Sequence, residues 1–265
     1  MATHRTFSPS PIAAAAWLAL AASSVCAQTT TLAPVTVTAP SSPPVSVGGF
    51  GNVPLAKSPF QASVYDSESL EDLGATSIAA LTSLDASVSD AYNANGYWQY
   101  LSVRGFTLDN RFNYRRDGLP INAETVIPLE NKEAIELLKG TSGIQAGTSA
   151  PGGLVNLVVK RPEGRVRSAS LGFRSSHTYG AAVDIGDRFG VNDAFGLRLN
   201  AAVEHLDPPL RASEGRRHLF ALASDWRISP DTLIEAEVES SRQTQPSQAG
   251  FSMHGTTVPA PVDPP

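Results

Sequence analysis

The chain has 265 residues, a formal net charge of −5 and only 17% charged residues. That balance excludes a nucleic-acid partner, which would leave a basic footprint. The 21 glycines and 20 prolines, with so few charges, point away from a helical soluble protein and towards a chain rich in β-structure and loops. The single cysteine, Cys26, lies near the N-terminus, so no disulfide framework is available to the rest of the chain.

Residues 1–27 read as an export leader. Arg5 gives a weak positive start and an apolar run covers 12–22, shorter than the roughly 20 residues a membrane-spanning helix needs. Val25 and Ala27 suit the −3 and −1 positions of signal-peptidase cleavage, which makes Gln28 the mature N-terminus. The rival is a lipoprotein anchored through Cys26, for which Val25 is a poor preceding residue. No other stretch is apolar enough for a membrane helix, so membrane residence would require strands.

After the leader, Pro34, Val35, Thr36, Val37, Thr38 and Ala39 form a β-capable run with no core to join. By composition this is either a disordered linker or a strand offered to the sheet edge of a partner. Residues 40–54, rich in Pro, Ser and Gly, read as a flexible tether.

A compact unit is expected from about residue 61 to 164. Asp66 is placed to cap a short helix that runs to Leu73 and stops at Gly74, and Ser77 to cap a second that runs to Leu84. Residues 101–104 and 114–117 read as strands, the latter turning at Asp117-Gly118. Residues 134–139 favour helix by propensity. A loop dense in Gly, Ser and Thr then leads to residues 154–159, nearly all apolar, which suits a strand buried on both faces. Pro162 cannot donate to a ladder and ends it.

From residue 165 the pattern becomes alternating. Ile234, Ala236 and Val238 face one way, and Glu235, Glu237 and Glu239 the other. Phe195, Leu197, Leu199, Ala201 and Val203 oppose Arg198, Asn200 and Glu204. Phe220, Leu222, Trp226 and Ile228 oppose Asp225 and Arg227. Five strands are expected, near 165–175, 178–189, 194–206, 216–228 and 232–242. Tight turns at 190–193 and 229–231 alternate with longer polar loops, as in outer-membrane barrels. A soluble sandwich with one wet face fits the alternation as well. No catalytic set stands out: His177, His205, His218 and His254 lack metal-ligand spacing, and the Gly-rich 140–153 lacks the Gly-Lys-Ser/Thr ending of a phosphate loop.

Two blocks carry a family resemblance. The first is Leu101-Ser102-Val103-Arg104-Gly105-Phe106 with Asp117-Gly118-Leu119-Pro120. The second is Leu138-Lys139-Gly140, then Pro151-Gly152-Gly153, then Lys160-Arg161-Pro162. Together they resemble the plug of TonB-dependent outer-membrane receptors, the siderophore-receptor branch in particular, over about residues 31–241. The implied fold is an α+β plug domain followed by antiparallel β strands of an incomplete transmembrane β-barrel. The implied layout is a signal peptide at 1–27, TonB box and tether at 28–54, plug at 55–164 and the first five or so barrel strands at 165–265. A plugged barrel of this kind has about 22 strands, so the resemblance implies the N-terminal part of a longer receptor.

The resemblance further implies a cell outer-membrane receptor, not an enzyme, that takes up ferric siderophores. Its partners would be outer-membrane lipid and TonB of the inner-membrane energy complex, the latter recruited through Pro34, Val35, Thr36, Val37, Thr38 and Ala39. No cofactor is implied, since the iron travels inside the chelate. Residues 134–139 are then a strand. Tyr97 and Trp98, in a cluster with Tyr92 and Tyr100, become ligand candidates, as do Asn122 and Gln145; Ala146, where relatives often carry an aromatic, is a departure. Arg104 and Lys139 match a plug-to-barrel lock whose glutamate partners would lie beyond Pro265. Gly105, Gly140, Gly152, Gly153, Lys160, Arg161 and Pro162 are assigned to structure. The alternative is a truncated, non-transporting product that acts at most as a periplasmic ligand- or partner-binding module.

Overall fold

The computed structural model describes residues 61–92, 97–140, 151–174, 177–210, 212–247 and 255–257. The leader, the 34–39 run, the tether and Gln145 lie outside the described residues. Strand β1 (Gln61–Asp66) ends at Asp66, whose Oδ1 accepts the Ser69 amide at 2.9 Å and so caps helix α1 (Ser67–Asp72). Gly74, at φ +64°, stops the helix. The second helix differs from the expectation. Ser77 is extended and bridges to Pro128, so its side chain caps nothing; a 3₁₀ turn (Ile78–Ala80) precedes α2 (Leu81–Leu84).

Five short strands follow: β2 (Val88–Asp90), β3 (Leu101–Val103), β4 (Phe106–Thr107), β5 (Tyr114–Arg116) and β6 (Leu119–Pro120). Two longer ones complete the unit, β7 (Lys132–Lys139) and β8 (Gly153–Val159). The sequence β1-β7-β8-β5-β6 makes a mixed sheet, with β5 parallel to β8 and the other pairs antiparallel. Residues 134–139 are thus strand against their helix propensity, because Ile135, Leu137 and Leu138 find pairing on both sides and are fully buried. β2, β3 and β4 form a separate small sheet. Apolar side chains from both sheets and the helices, including Leu70, Ile78, Leu81, Val103, Tyr114 and Leu157, make one core.

The chain then enters a meander of long strands: β9 (Val166–Phe173), β10 (Tyr179–Phe189), β11 (Phe195–Leu206), β12 (Gly215–Ser229) and β13 (Thr232–Thr244). All four pairings are antiparallel, in the order β9 to β13. The five expected strands are present with ends shifted by a residue or two. Their apolar rows face away from the α+β unit: Leu171, Val183, Leu197, Val203, Phe220 and Val238 are all exposed. The opposite row, with Arg198, Asn200, Glu204, Arg217 and Asp225 buried and Asp184 half-buried, lies against that unit.

Aromatic side chains mark both ends of the exposed face. Phe189, Phe195 and Trp226 stack across three strands near the tight turns, with ring centroids 6.0 and 5.4 Å apart. Phe173 and Tyr179 stand at the other end, Tyr179 against the His205 ring at 5.0 Å. Tyr179 and Phe189 bound an 11-residue strand. Ten residue steps rise about 33 Å, or about 25 Å once tilted by roughly 40°, the height of the apolar band of an outer-membrane barrel.

One glycine fixes how β8 meets β7. Gly153 has φ +140°, and a Cβ there would sit 2.0 Å from the Leu138 carbonyl oxygen. Gly153→Ala is therefore expected to cost about 2 kcal/mol or more. A drop in the urea midpoint, followed by tryptophan fluorescence, checks it; an unchanged midpoint refutes it.

Candidate functional site

The loop between β2 and β3 gathers four aromatic side chains. Asp90 Oδ1 accepts the Tyr92 amide at 2.9 Å, and the Ala91 amide donates to the Tyr100 carbonyl at 2.6 Å, which closes the loop base. Tyr92 stacks on Tyr100 at 5.1 Å, and Tyr97 stacks on Trp98 at 3.8 Å. The edge of Tyr92 meets both Tyr97 and Trp98. Tyr92 and Tyr97 remain exposed. The buried Trp98 Nε1 has no hydrogen-bond partner among the described residues, although a buried indole N–H usually finds one.

A second loop stands beside this cluster. Arg111 donates to both Asp109 carboxylate oxygens, at 3.0 and 2.8 Å, and its guanidinium lies 5.1 Å over the Phe112 ring. The hydrogen bonds from Arg111 hold the Asp109 carboxyl below its ordinary value. Asn110 and Arg111, with Pro120, Ile121, Asn122 and Glu124, line an open hollow of about 250 Å³. Asn122 Oδ1 accepts the Glu124 amide at 2.8 Å, which shapes the rim. Asn110 Oδ1 is buried without a partner among the described residues. Residues 125, 126 and 128 lead from this hollow to Arg217, His218 and Arg242, at the long-loop end of the wall.

The structure thus brings Tyr97 and Trp98 together with Tyr92 and Tyr100, and sets Asn122 in a separate hollow. Asn110 and Arg111 were not singled out from the sequence. Their signal was there: Asp109 and Arg111 in a loop beside Phe112 put a paired charge next to aromatics.

Beneath the apex, carboxylates of the wall meet cations of the α+β unit. Glu239 accepts from Lys132 Nζ at 2.9 Å, from Asn131 Nδ2 at 2.7 Å and from Arg116. Lys132 is fully buried; burial pulls its ammonium below the ordinary value, and the Glu239 charge offsets part of that. Asp184 takes a bidentate pair from Arg198 at 2.9 and 2.8 Å and a contact from Lys160 Nζ at 3.2 Å. Arg217 bridges Glu204 of the wall to Glu130.

Lys160, Arg161 and Pro162 form the seam itself. Lys160 also reaches Glu71 at 3.2 Å. Arg161 donates to Asp117 at 3.1 Å and lies 3.9 Å from Glu235. The Pro162 carbonyl accepts from Arg188 at 2.6 Å. Gly105 and Gly140 stand at turns with φ +82° and +85°, and Gly152 lies where a Cβ would sit 2.9 Å from Phe106 Cβ.

Arg104 and Lys139 are placed differently. Arg104 donates to Gln61, and Lys139 pairs with Asp85 at 2.5 Å, both inside the α+β unit. Among the described residues, contacts to wall carboxylates fall instead to Arg116, Lys132, Lys160 and Arg161. Asp85 is the centre of its own knot, taking Tyr65 Oη at 2.8 Å and Ser87 Oγ at 2.7 Å. Burial alone would raise its carboxyl, but the bonds from Lys139, Ser87 and Tyr65 outweigh that and hold it well below the usual range. Burial pushes the Tyr65 hydroxyl up to about 12.

Residues 54–154 match the family model described as TonB-dependent Receptor Plug Domain. The chain contains a TonB-dependent receptor plug domain. It is 26% identical over 218 residues to a ferrioxamine B receptor of Salmonella typhimurium, an alignment covering 78% of this chain and 31% of that protein. It is 26% identical to the ferrichrome receptor FcuA of Yersinia enterocolitica, over 68% of this chain and 24% of that protein. In fold it is similar to BauA, the ferric preacinetobactin receptor from Acinetobacter baumannii, with a TM-score of 0.67 and 24% identity over 75% of this chain and 30% of that one. The matched part of the chain therefore spans only 24–31% of the length of these relatives. The wall that packs on the plug domain is an open, partial barrel sheet of five strands among the described residues.

Two outcomes follow from the charge contacts. Glu239→Gln leaves the buried Lys132 of the plug domain uncompensated and is expected to cost about 3 kcal/mol, whereas Lys132→Met with Glu239→Leu costs far less; chemical unfolding of the three proteins measures the order. Asp85 stabilises the plug fully above about pH 4, and that contribution is lost as pH falls towards its depressed folded value. Asp85→Asn should therefore flatten the acid side of a stability–pH profile read by circular dichroism.

Proposed function

We propose that this chain belongs to an outer-membrane receptor that takes up ferric siderophores, driven through TonB. The observation that carries the reading is the apex. An exposed aromatic cluster and a polar hollow sit on a plug that packs against a wall whose outer face is apolar. Bulky chelates with an apolar rim and oxygen ligands suit Tyr92, Tyr97, Trp98, Asn110 and Asn122 as partners. Two aromatic rows about 25 Å apart support residence in the outer membrane. No described helix is long and apolar enough to cross a membrane, so any crossing by the described residues would be made by strands. The relatives named above, receptors for ferrioxamine B, ferrichrome and ferric preacinetobactin, support the same ligand class.

In this reading residues 1–27 are the export signal, and Pro34, Val35, Thr36, Val37, Thr38 and Ala39 add a strand to TonB, with 40–54 as the tether. Gln145 joins Asn122 and the aromatic cluster as a ligand contact. Arg104 and Lys139 hold the plug to wall strands other than β9 to β13. The iron stays inside its chelate, and the protein supplies no cofactor.

Growth of an iron-starved strain on a ferric siderophore as sole iron source tests the proposal. Deletion of residues 35–38 in the encoding gene is expected to abolish growth while the protein still reaches the outer-membrane fraction. Undiminished growth would sink the reading.

A further inference from the structure

We propose that the outer face of the wall carries a binding site for the phosphate-bearing headgroup of a glycolipid, at the end of the strands opposite the tight turns. This goes beyond the uptake reading and uses none of its ligand contacts. Alternation decides which side chains take part. Arg217, Leu219 and Ala221 of β12 are buried on the plug side, where Arg217 meets Glu130. Arg216, His218 and Phe220 therefore face the other way, and all three are exposed. The antiparallel register sets their neighbours. Arg216 lies opposite His205, and His218 lies opposite Val203 on one side and the exposed Arg242 on the other. His205 in turn lies opposite Tyr179, with ring centroids 5.0 Å apart. Such opposed pairs hold their Cβ atoms about 5 Å apart. Two arginines, two histidines and a tyrosine from four consecutive strands thus share one patch.

The patch sits at the aromatic row formed by Phe173 and Tyr179, where a wall passes from hydrocarbon to headgroups. An arginine on the lipid face is costly at the bilayer centre, and the cost falls away towards this level. The stems of Arg216 and Arg242 can lie on the apolar face while their guanidinium groups reach the headgroups. Each guanidinium presents a planar fork of N–H donors that matches two phosphate oxygens. Beside that fork, Tyr179 and His205 form a tilted pair of rings on which the C–H face of a sugar can rest. A zwitterionic phospholipid brings a phosphate already matched by its own ammonium group, and it brings no sugar. A phosphorylated glycolipid brings both partners. Longer loops point outside in outer-membrane barrels, so the site faces the outer leaflet.

Native mass spectrometry tests the site. The purified 265-residue chain in detergent is titrated with a bisphosphorylated glycolipid, with its dephosphorylated form and with phosphatidylethanolamine. The bisphosphorylated form is expected to bind about ten-fold more tightly than either of the others. Arg216→Gln with Arg242→Gln should lower that affinity about ten-fold. Arg216→Lys with Arg242→Lys keeps the charge and should lower it about three-fold at most. Arg167→Gln alters an arginine on the same outer face at the tight-turn end and should leave the affinity unchanged. Equal binding of the dephosphorylated form overturns the inference. So does a double glutamine variant that binds like the unaltered chain, an equal loss in Arg167→Gln, or binding of none of the three lipids. Growth on a ferric siderophore is read separately, so the uptake reading stands or falls on its own experiment.

Discussion

The contact on which the structure turns is the one around Glu239. A single carboxylate on the inner face of the wall takes hydrogen bonds from Arg116, Asn131 and the fully buried Lys132. Removing these charges from water is expensive, and only close pairing offsets the loss. The same logic repeats along the seam, with Lys160 and Arg198 on Asp184 and with Arg217 between Glu130 and Glu204. An interface built this way holds its register strictly, because a shift by one residue would turn every wall carboxylate to the outside. It is also an interface that water can dissolve, unlike one sealed by apolar packing.

The wall's two faces follow from strand geometry alone. Alternation puts Ile234, Ala236 and Val238 outward and Glu235, Glu237 and Glu239 inward. In water the outward face would be a large aggregation-prone patch, with Leu171, Phe173 and Val203 all well exposed. In an apolar band bounded by the two aromatic rows it is the expected surface. Arg167 and Asp187 also share that face, at the tight-turn end, and pair at 2.8 Å, so neither charge is bare there.

The apex is made of different material. Its rings stack on one another, and Arg111 is already paired with Asp109. The plug therefore carries charge where it meets the wall and a stacked aromatic cluster in the loop between β2 and β3.

Much of this was legible in the sequence. The five wall strands came from period-two alternation, the Asp66 cap and Gly74 stop from local chemistry, and the plug from the family resemblance carried by Arg104-Gly105-Phe106 and Lys160-Arg161-Pro162. These depend on neighbours in the chain, and neighbours are what a sequence displays. The identity of the contacts was not legible. Lys132 and Glu239 lie 107 residues apart, and nothing local to either says that one neutralises the other. Nor does anything beside Lys139 in the chain announce that it pairs with Asp85 at the end of β7. Residues 134–139 favour helix by propensity and became strand because sheet partners waited on both sides. The chain's own order thus determined which elements form and which face of each is apolar; only folding in three dimensions decided which charge meets which, since buried ion pairs are fixed by distance in space and not along the chain.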